Sequence, residues 1–187
     1  HREAILKFLN DKRTAAPATG DEDTARNTLS ADELRRLRPF VDPFLVAYLD
    51  LAARLGAPQS ADQPLAVESV MERAKALARE LGSTPHAALG AAIERAARAL
   101  ESGAIAKQRE VFKSLSDDTI RLADLAAPSR SVAGALHVMY CSMAPGRWLQ
   151  RDEEIANPYY ATSMKECGEL ERTIATVPSA DQEGNKR

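Results

Sequence analysis

Apolar residues return at helical spacing through the middle of this chain. Val41, Phe44, Leu45, Tyr48, Leu51, Ala52 and Leu55 share one stripe, and Ser30 stands three residues before Glu33 in a capping-box pattern that predicts the helix start. Pro39 and Pro43 predict a kink or a restart within that segment. A second stripe joins Val67, Val70, Met71, Ala74, Leu77, Ala78 and Leu81 and stops at Gly82. In the third, Thr84 is placed to cap and Pro85 suits the first helical position. Leu89, Ile93, Ala96, Ala97 and Leu100 follow, and Gly103 ends the segment. The fourth runs through Ile105, Gln108, Val111, Phe112, Leu115, Thr119, Leu122 and Leu125 to Pro128. Four amphipathic helices with short connections predict an all-α fold, an antiparallel four-helix bundle. After Pro128 the helical period is lost, and a small irregular C-terminal subregion rich in Pro, Gly, aromatic, Met and Cys residues is expected up to about Gly168.

The same pattern divides the chain. Residues 1–29 read as a short helix over 2–12 followed by the linker "TAAPATGDEDTARNT", which has no apolar period. Residues 30–172 form the bundle domain with its Cys/Met-containing end, and 173–187 read as a disordered polar tail. The chain opens at "HREAILKF" without a methionine, so a processed product or an excised fragment is expected.

Composition narrows the function classes. Hydrophobic residues are 44% and charged residues 28% of the 187, and aromatics only 5%, a balance that suits a helical domain with a real core. The 25 basic and 27 acidic residues are interspersed and leave a net charge of -2, which is no phosphate-binding footprint and argues against nucleic acid as a partner. No apolar run approaches the ~20 residues that a membrane-spanning helix needs, so no membrane insertion is expected.

The candidate chemistry lies in "HVMYCSMAPGRW". Val138 and Tyr140 favour a strand, and in extended chain His137, Met139, Cys141 and Met143 share one face. Alternate side chains on a strand lie roughly 6.6 Å apart, so one ion reaches Cys141 and Met143 but not all four. Further on, "ATSMKECGEL" sets Met164 and Cys167 three apart, on one face of a short helix that Thr162 or Ser163 would cap. Cys-x-Met and Met-x-x-Cys are half-sites of soft sulfur donors suited to Cu(I) or Ag(I), and Cys141, Met143, Met164 and Cys167 are the candidate ligands.

Plainer readings stand beside this one. A Cys141–Cys167 disulfide would close 26 residues and contribute roughly 3.5 kcal/mol. Met71 and Met139 read as core filling. His86 reads as a solvated surface residue. His137 is a possible additional ligand, although a lone histidine is more often a hydrogen-bonded structural residue. Trp148 is a possible cation contact, with packing as the plainer role. In "RWLQRDEEIANPYY", Asn157-Pro158 favours an extended turn, and Trp148, Ile155, Tyr159 and Tyr160 form a local apolar cap that would hold the two sulfur segments together. No nucleophile elbow, zinc-hydrolase helix motif or glycine-rich phosphate loop occurs, and Asp152, Glu153 and Glu154 read as a solvated charge run. No enzyme is assigned.

The run "YCSMAPGRWLQRDEEIANPYYATSMKECG" resembles the end of the DUF3347 family, exported domains often appended to heavy-metal efflux adaptor proteins of the copper and silver type. The resemblance is carried by Cys141 to Ala144, Gly146, Trp148-Leu149, Ile155 with "NPYY", Met164 and Cys167-Gly168. It extends over roughly residues 40 to 170, with "QREVFKSLSDDTIRLA" similar to the family's last bundle helix. Ser142 stands where that family usually has proline. The resemblance implies a periplasmic or otherwise exported domain that binds Cu(I) or Ag(I) through Cys141, Met143, Met164 and Cys167. The leading expectation is metal transfer by ligand exchange to an efflux or copper-delivery protein, with thioethers allowing transfer and thiolates giving affinity. The alternative is a non-catalytic structural or interaction module closed by the disulfide, with no metal.

Overall fold

The computed structural model describes residues 29–57, 64–101, 103–160 and 163–178. The expected short helix and linker at the N-terminus and the last residues of the expected tail lie outside the described residues. Four helices come first: α1 (Ala31–Gly56), α2 (Glu68–Leu81), α3 (Ala87–Ala99) and α4 (Ile105–Ala126). Three strands follow: β1 (Leu136–Cys141), β2 (Gly146–Gln150) and β3 (Glu169–Ile174). They form one antiparallel sheet in the order β2-β1-β3.

The architecture is therefore mixed α and β, which corrects the expected all-α bundle with an irregular end. The four helices are present, but the region after Pro128 is a sheet. Periodicity misses it for a physical reason. The central strand β1 is buried on both faces over Leu136–Met139, so it lacks a polar alternation. The edge strand β3 is exposed from Glu169 to Thr173 and carries no apolar pattern at all. Its identity as a strand comes from backbone pairing with β1, which side-chain pattern does not encode.

α1 begins at the Ser30 capping box, where the Ser30 hydroxyl accepts from the Glu33 N–H and the Glu33 carboxylate accepts from the Ser30 N–H at 2.8 Å. It then runs without restart through Pro39 and Pro43. Each proline removes a backbone hydrogen bond, and burial of Leu37, Val41, Phe44 and Leu45 around them offsets that loss. α2 packs between α1 and α3, and α3 packs on α4. At buried Gly90 an added Cβ would meet Leu81 Cβ at 3.0 Å and Ala78 Cα at 3.1 Å, so glycine is what lets α2 and α3 approach there. Thr84 does not cap α3 directly. Its hydroxyl donates to the Leu81 carbonyl at 2.7 Å and accepts from the His86 N–H at 3.1 Å, shaping the turn before the helix. His86 is half-buried at the start of α3. Buried Gln108 on α4 accepts from Leu65 N–H and donates to the carbonyls of Leu65 and Leu100, tying two connections to one helix.

The sheet docks through β2, which lies against α1 and α4. At the centre of this junction the fully buried Tyr48 hydroxyl lies 2.7 Å from Ser116 Oγ and accepts from the Leu149 N–H at 3.2 Å. The Tyr48 ring stacks on Phe112 with centroids 5.0 Å apart. Burial pushes the Tyr48 phenol well above its usual range, so it stays neutral. Tyr48→Phe keeps the ring but strips the Leu149 N–H and the Ser116 hydroxyl of a partner. We expect a loss of about 1–3 kcal/mol in urea denaturation, with the helical circular dichroism unchanged. The chain stays on the domain beyond β3, since Arg130 N–H donates to Val177 O at 2.8 Å and Val177 N–H to Pro128 O at 3.0 Å.

Candidate metal centre

Cys141 closes β1 and faces Gly146 across a hairpin whose loop is Ser142-Met143-Ala144-Pro145. That loop folds back so that the Ala144 N–H donates to Cys141 Sγ at 3.4 Å. The second sulfur arrives from the other side of the sheet. β1 pairs with β3 in a register that sets Tyr140 opposite Glu169, and one further step places Gly168 beside Cys141. Cys167, next along, brings its Sγ to 3.3 Å from Cys141 Sγ. Both are free thiols, Cys141 with no exposed surface and Cys167 half-buried. At 3.3 Å the separation exceeds the ~2.04 Å of a disulfide.

Two aromatic and amide anchors hold these segments. Fully buried Asn157 donates from Nδ2 to the Cys167 carbonyl at 2.7 Å, and its Oδ1 accepts from the Tyr159 N–H at 2.9 Å. Its own N–H donates to the Lys165 carbonyl at 2.7 Å. Tyr160 Oη donates to the Met143 carbonyl at 3.1 Å, and Tyr159 Oη donates to the Arg147 carbonyl. The "NPYY" segment is thus bonded to the cysteine loop on one side and to the hairpin on the other. Sequence reasoning assigned it a turn and an apolar cap. The amide clamp of Asn157 was missed, because an Asn-Pro pair signals a turn whether or not its side chain is buried.

Trp148 is fully buried on β2, its Nε1–H donating to Gln150 Oε1 at 2.9 Å and its ring meeting Tyr159 edge-on at 5.7 Å. Its far edge also lies against Gly168, where an added Cβ would come within 2.8 Å of Trp148 Cη2 and 3.2 Å of the Tyr140 carbonyl oxygen. Gly168 has φ +152°, a conformation that favours glycine.

The electrostatics of the two thiols diverge. Burial pushes the Cys141 thiol up, but the Ala144 N–H, the Cys167 thiol, the Met143 backbone and Asn157 together bring it below its ordinary value. Cys167 is pushed up, first because its hydrogen bond to Cys141 holds its proton, then by desolvation and the neighbouring negative charge.

The other candidates fall in different places. Met143 is 64% exposed on the hairpin loop, having left the strand face that His137, Met139 and Cys141 share. Met164 is 38% exposed, and the segment 163–166 is bends and turns in place of the expected short helix, with Cys167 N–H donating to Met164 O at 2.9 Å. Met139 is buried core and Met71 packs against the core from its stripe. His137 lies four residues back along β1, about 13 Å of extended strand from Cys141, and its Nδ1 is 3.2 Å from Thr173 Oγ1. Among the described residues no three His, Cys, Asp or Glu side chains are grouped to hold a metal ion. Nor is any helix among them long and apolar enough to cross a membrane. Compared with protein-family models, with curated proteins and with solved structures, the chain matches none.

Proposed function

We propose that this domain binds a soft monovalent ion, Cu(I) or Ag(I), between Cys141 and Cys167, with Met143 or Met164 as an exchangeable third donor. The observation that carries the reading is the 3.3 Å approach of two free sulfurs, one of them already receiving a backbone N–H. N–H donors toward sulfur stabilise negative charge on it, and a linear or trigonal ion needs only two or three donors. The exposure of Met143 suits transfer, since a thioether at the surface is displaced more readily than a buried thiolate. In this reading the domain is exported and passes its ion to an efflux or copper-delivery protein by ligand exchange. The resemblance to the DUF3347 family points the same way.

The test is titration of the reduced protein with Cu(I) against a competing chelator. The wild type is expected to retain one ion. Cys141→Ser and Cys167→Ser, singly, are expected to weaken retention about a hundredfold each, and Met143→Leu only severalfold. Because both thiols must shed protons to bind, affinity is expected to fall as the pH falls. Unchanged retention in the double serine variant overturns the proposal.

A further inference from the structure

We propose that the same two cysteines undergo thiol–disulfide exchange with small disulfides in a fixed order, Cys167 reacting first and Cys141 closing the pair. Four features of the geometry support this. Cys167 borders an open depression of ≈ 200 Å³ lined with Tyr140, Ser142, Gly168 and Glu169, so a small disulfide reaches its sulfur. Cys141 has no exposed surface and is screened from the same reagent. Its Sγ nevertheless lies 3.3 Å from Cys167 Sγ, at contact distance for attack on that atom. The Ala144 N–H at 3.4 Å also fixes Cys141 Sγ in place.

The chemistry proceeds in two balanced steps. Cys167 Sγ attacks one sulfur of an external disulfide RS–SR. The Cys167–SR bond forms, the RS–SR bond breaks, and RS⁻ departs and takes the proton that Cys167 gives up. Cys141 Sγ then attacks Cys167 Sγ. The Cys141–Cys167 bond forms, the mixed disulfide breaks, and the second RS⁻ leaves with the Cys141 proton. Two protein thiols are oxidised by two electrons in all, and one external disulfide is reduced to two thiols. The second step is intramolecular, and sulfurs held in contact carry a large effective concentration, so the mixed disulfide is short-lived. Closure needs the sulfurs to approach by about 1.3 Å. Closing the pair removes both thiolates, so oxidation expels a bound soft ion. That one consequence rests on the metal-binding reading above, whereas the order of attack does not.

The experiment treats reduced, metal-free protein with 2-hydroxyethyl disulfide, an uncharged probe suited to a depression edged by Glu169, and follows intact mass with time after acid quenching. The wild type is expected to lose the mass of two hydrogens with no adduct accumulating. Cys141→Ala is expected to stop at a stable single adduct on Cys167. In Cys167→Ala, Cys141 is expected to react roughly tenfold or more slowly. Circular dichroism of each variant reports folding, and the wild-type time course tests closure even where a variant unfolds. An accumulating wild-type adduct without closure, or a folded Cys167→Ala that reacts as fast as Cys141→Ala, overturns the proposal. A parallel arm loads the reduced wild type with Cu(I) before oxidation. Closure in a protein that never retained Cu(I) leaves the exchange order standing and removes the metal reading. Cu(I) retained in this arm, with no closure in the metal-free arm, does the reverse.

Discussion

Gly168→Ala is expected to destabilise the domain by about 3–5 kcal/mol, measured by urea or thermal unfolding. Two costs combine there. At φ +152° a side chain strains the backbone, which alone costs of order 1–3 kcal/mol. The new methyl would also sit 2.8 Å from Trp148 Cη2, and the indole cannot retreat. It is fully buried, hydrogen-bonded to Gln150 and packed edge-on against Tyr159. Overpacking of such a core costs another 1–3 kcal/mol or so. The variant also separates this account from a purely local one. If Gly168 merely bordered a loose loop, the unfolding midpoint would hardly move. If it holds Cys167 in register, stability and Cu(I) retention fall together.

Asn157→Ala is expected to cost about 2–4 kcal/mol and to loosen the sulfur pair. The change deletes the Nδ2 donor to the Cys167 carbonyl and the Oδ1 acceptor for the Tyr159 N–H, leaving both backbone groups without that partner in a buried setting. Each such loss costs of order 1–3 kcal/mol. Asn157→Asp is the informative companion, because it keeps the acceptor for Tyr159 but replaces the donor with a carboxylate oxygen facing the Cys167 carbonyl. It should be at least as harmful as alanine. Hydrogen exchange at the Cys167 and Tyr159 amides would show whether the loosening is local to the clamp or spreads through β1.

Burial decided which of these features could be read from residues in order. The helices were legible because each buries one stripe, and a stripe writes its period into the chain: Val41 to Leu55, Val70 to Leu81, Ile93 to Leu100 and Phe112 to Leu122 are where the core lies. The capping box at Ser30 and Glu33 was legible for the same local reason, since its partners sit three residues apart. At Pro39 and Pro43 the local rule left a kink or a restart open, and the chain does not restart: one helix passes through both. Local rules failed over residues 163–166, which form turns and bends and no helix.

The sequence by itself determined the helical stripes, the extended preference around Val138 and Tyr140, and the supply of two thiols and two thioethers as the soft donors near the C-terminus. Only the tertiary structure decided that the β1–β2 hairpin and the later segment β3 would pair into one sheet, and that Cys167 Sγ would come to 3.3 Å from Cys141 Sγ. It likewise decided that His137 would lie a strand's length away and that Asn157 would become a clamp. The physical reason is the kind of interaction involved. A helix is held by neighbours four residues apart, so its signal is local. A sheet is held by backbone groups that every residue carries, so its partners and its register emerge only when the whole chain closes around one core.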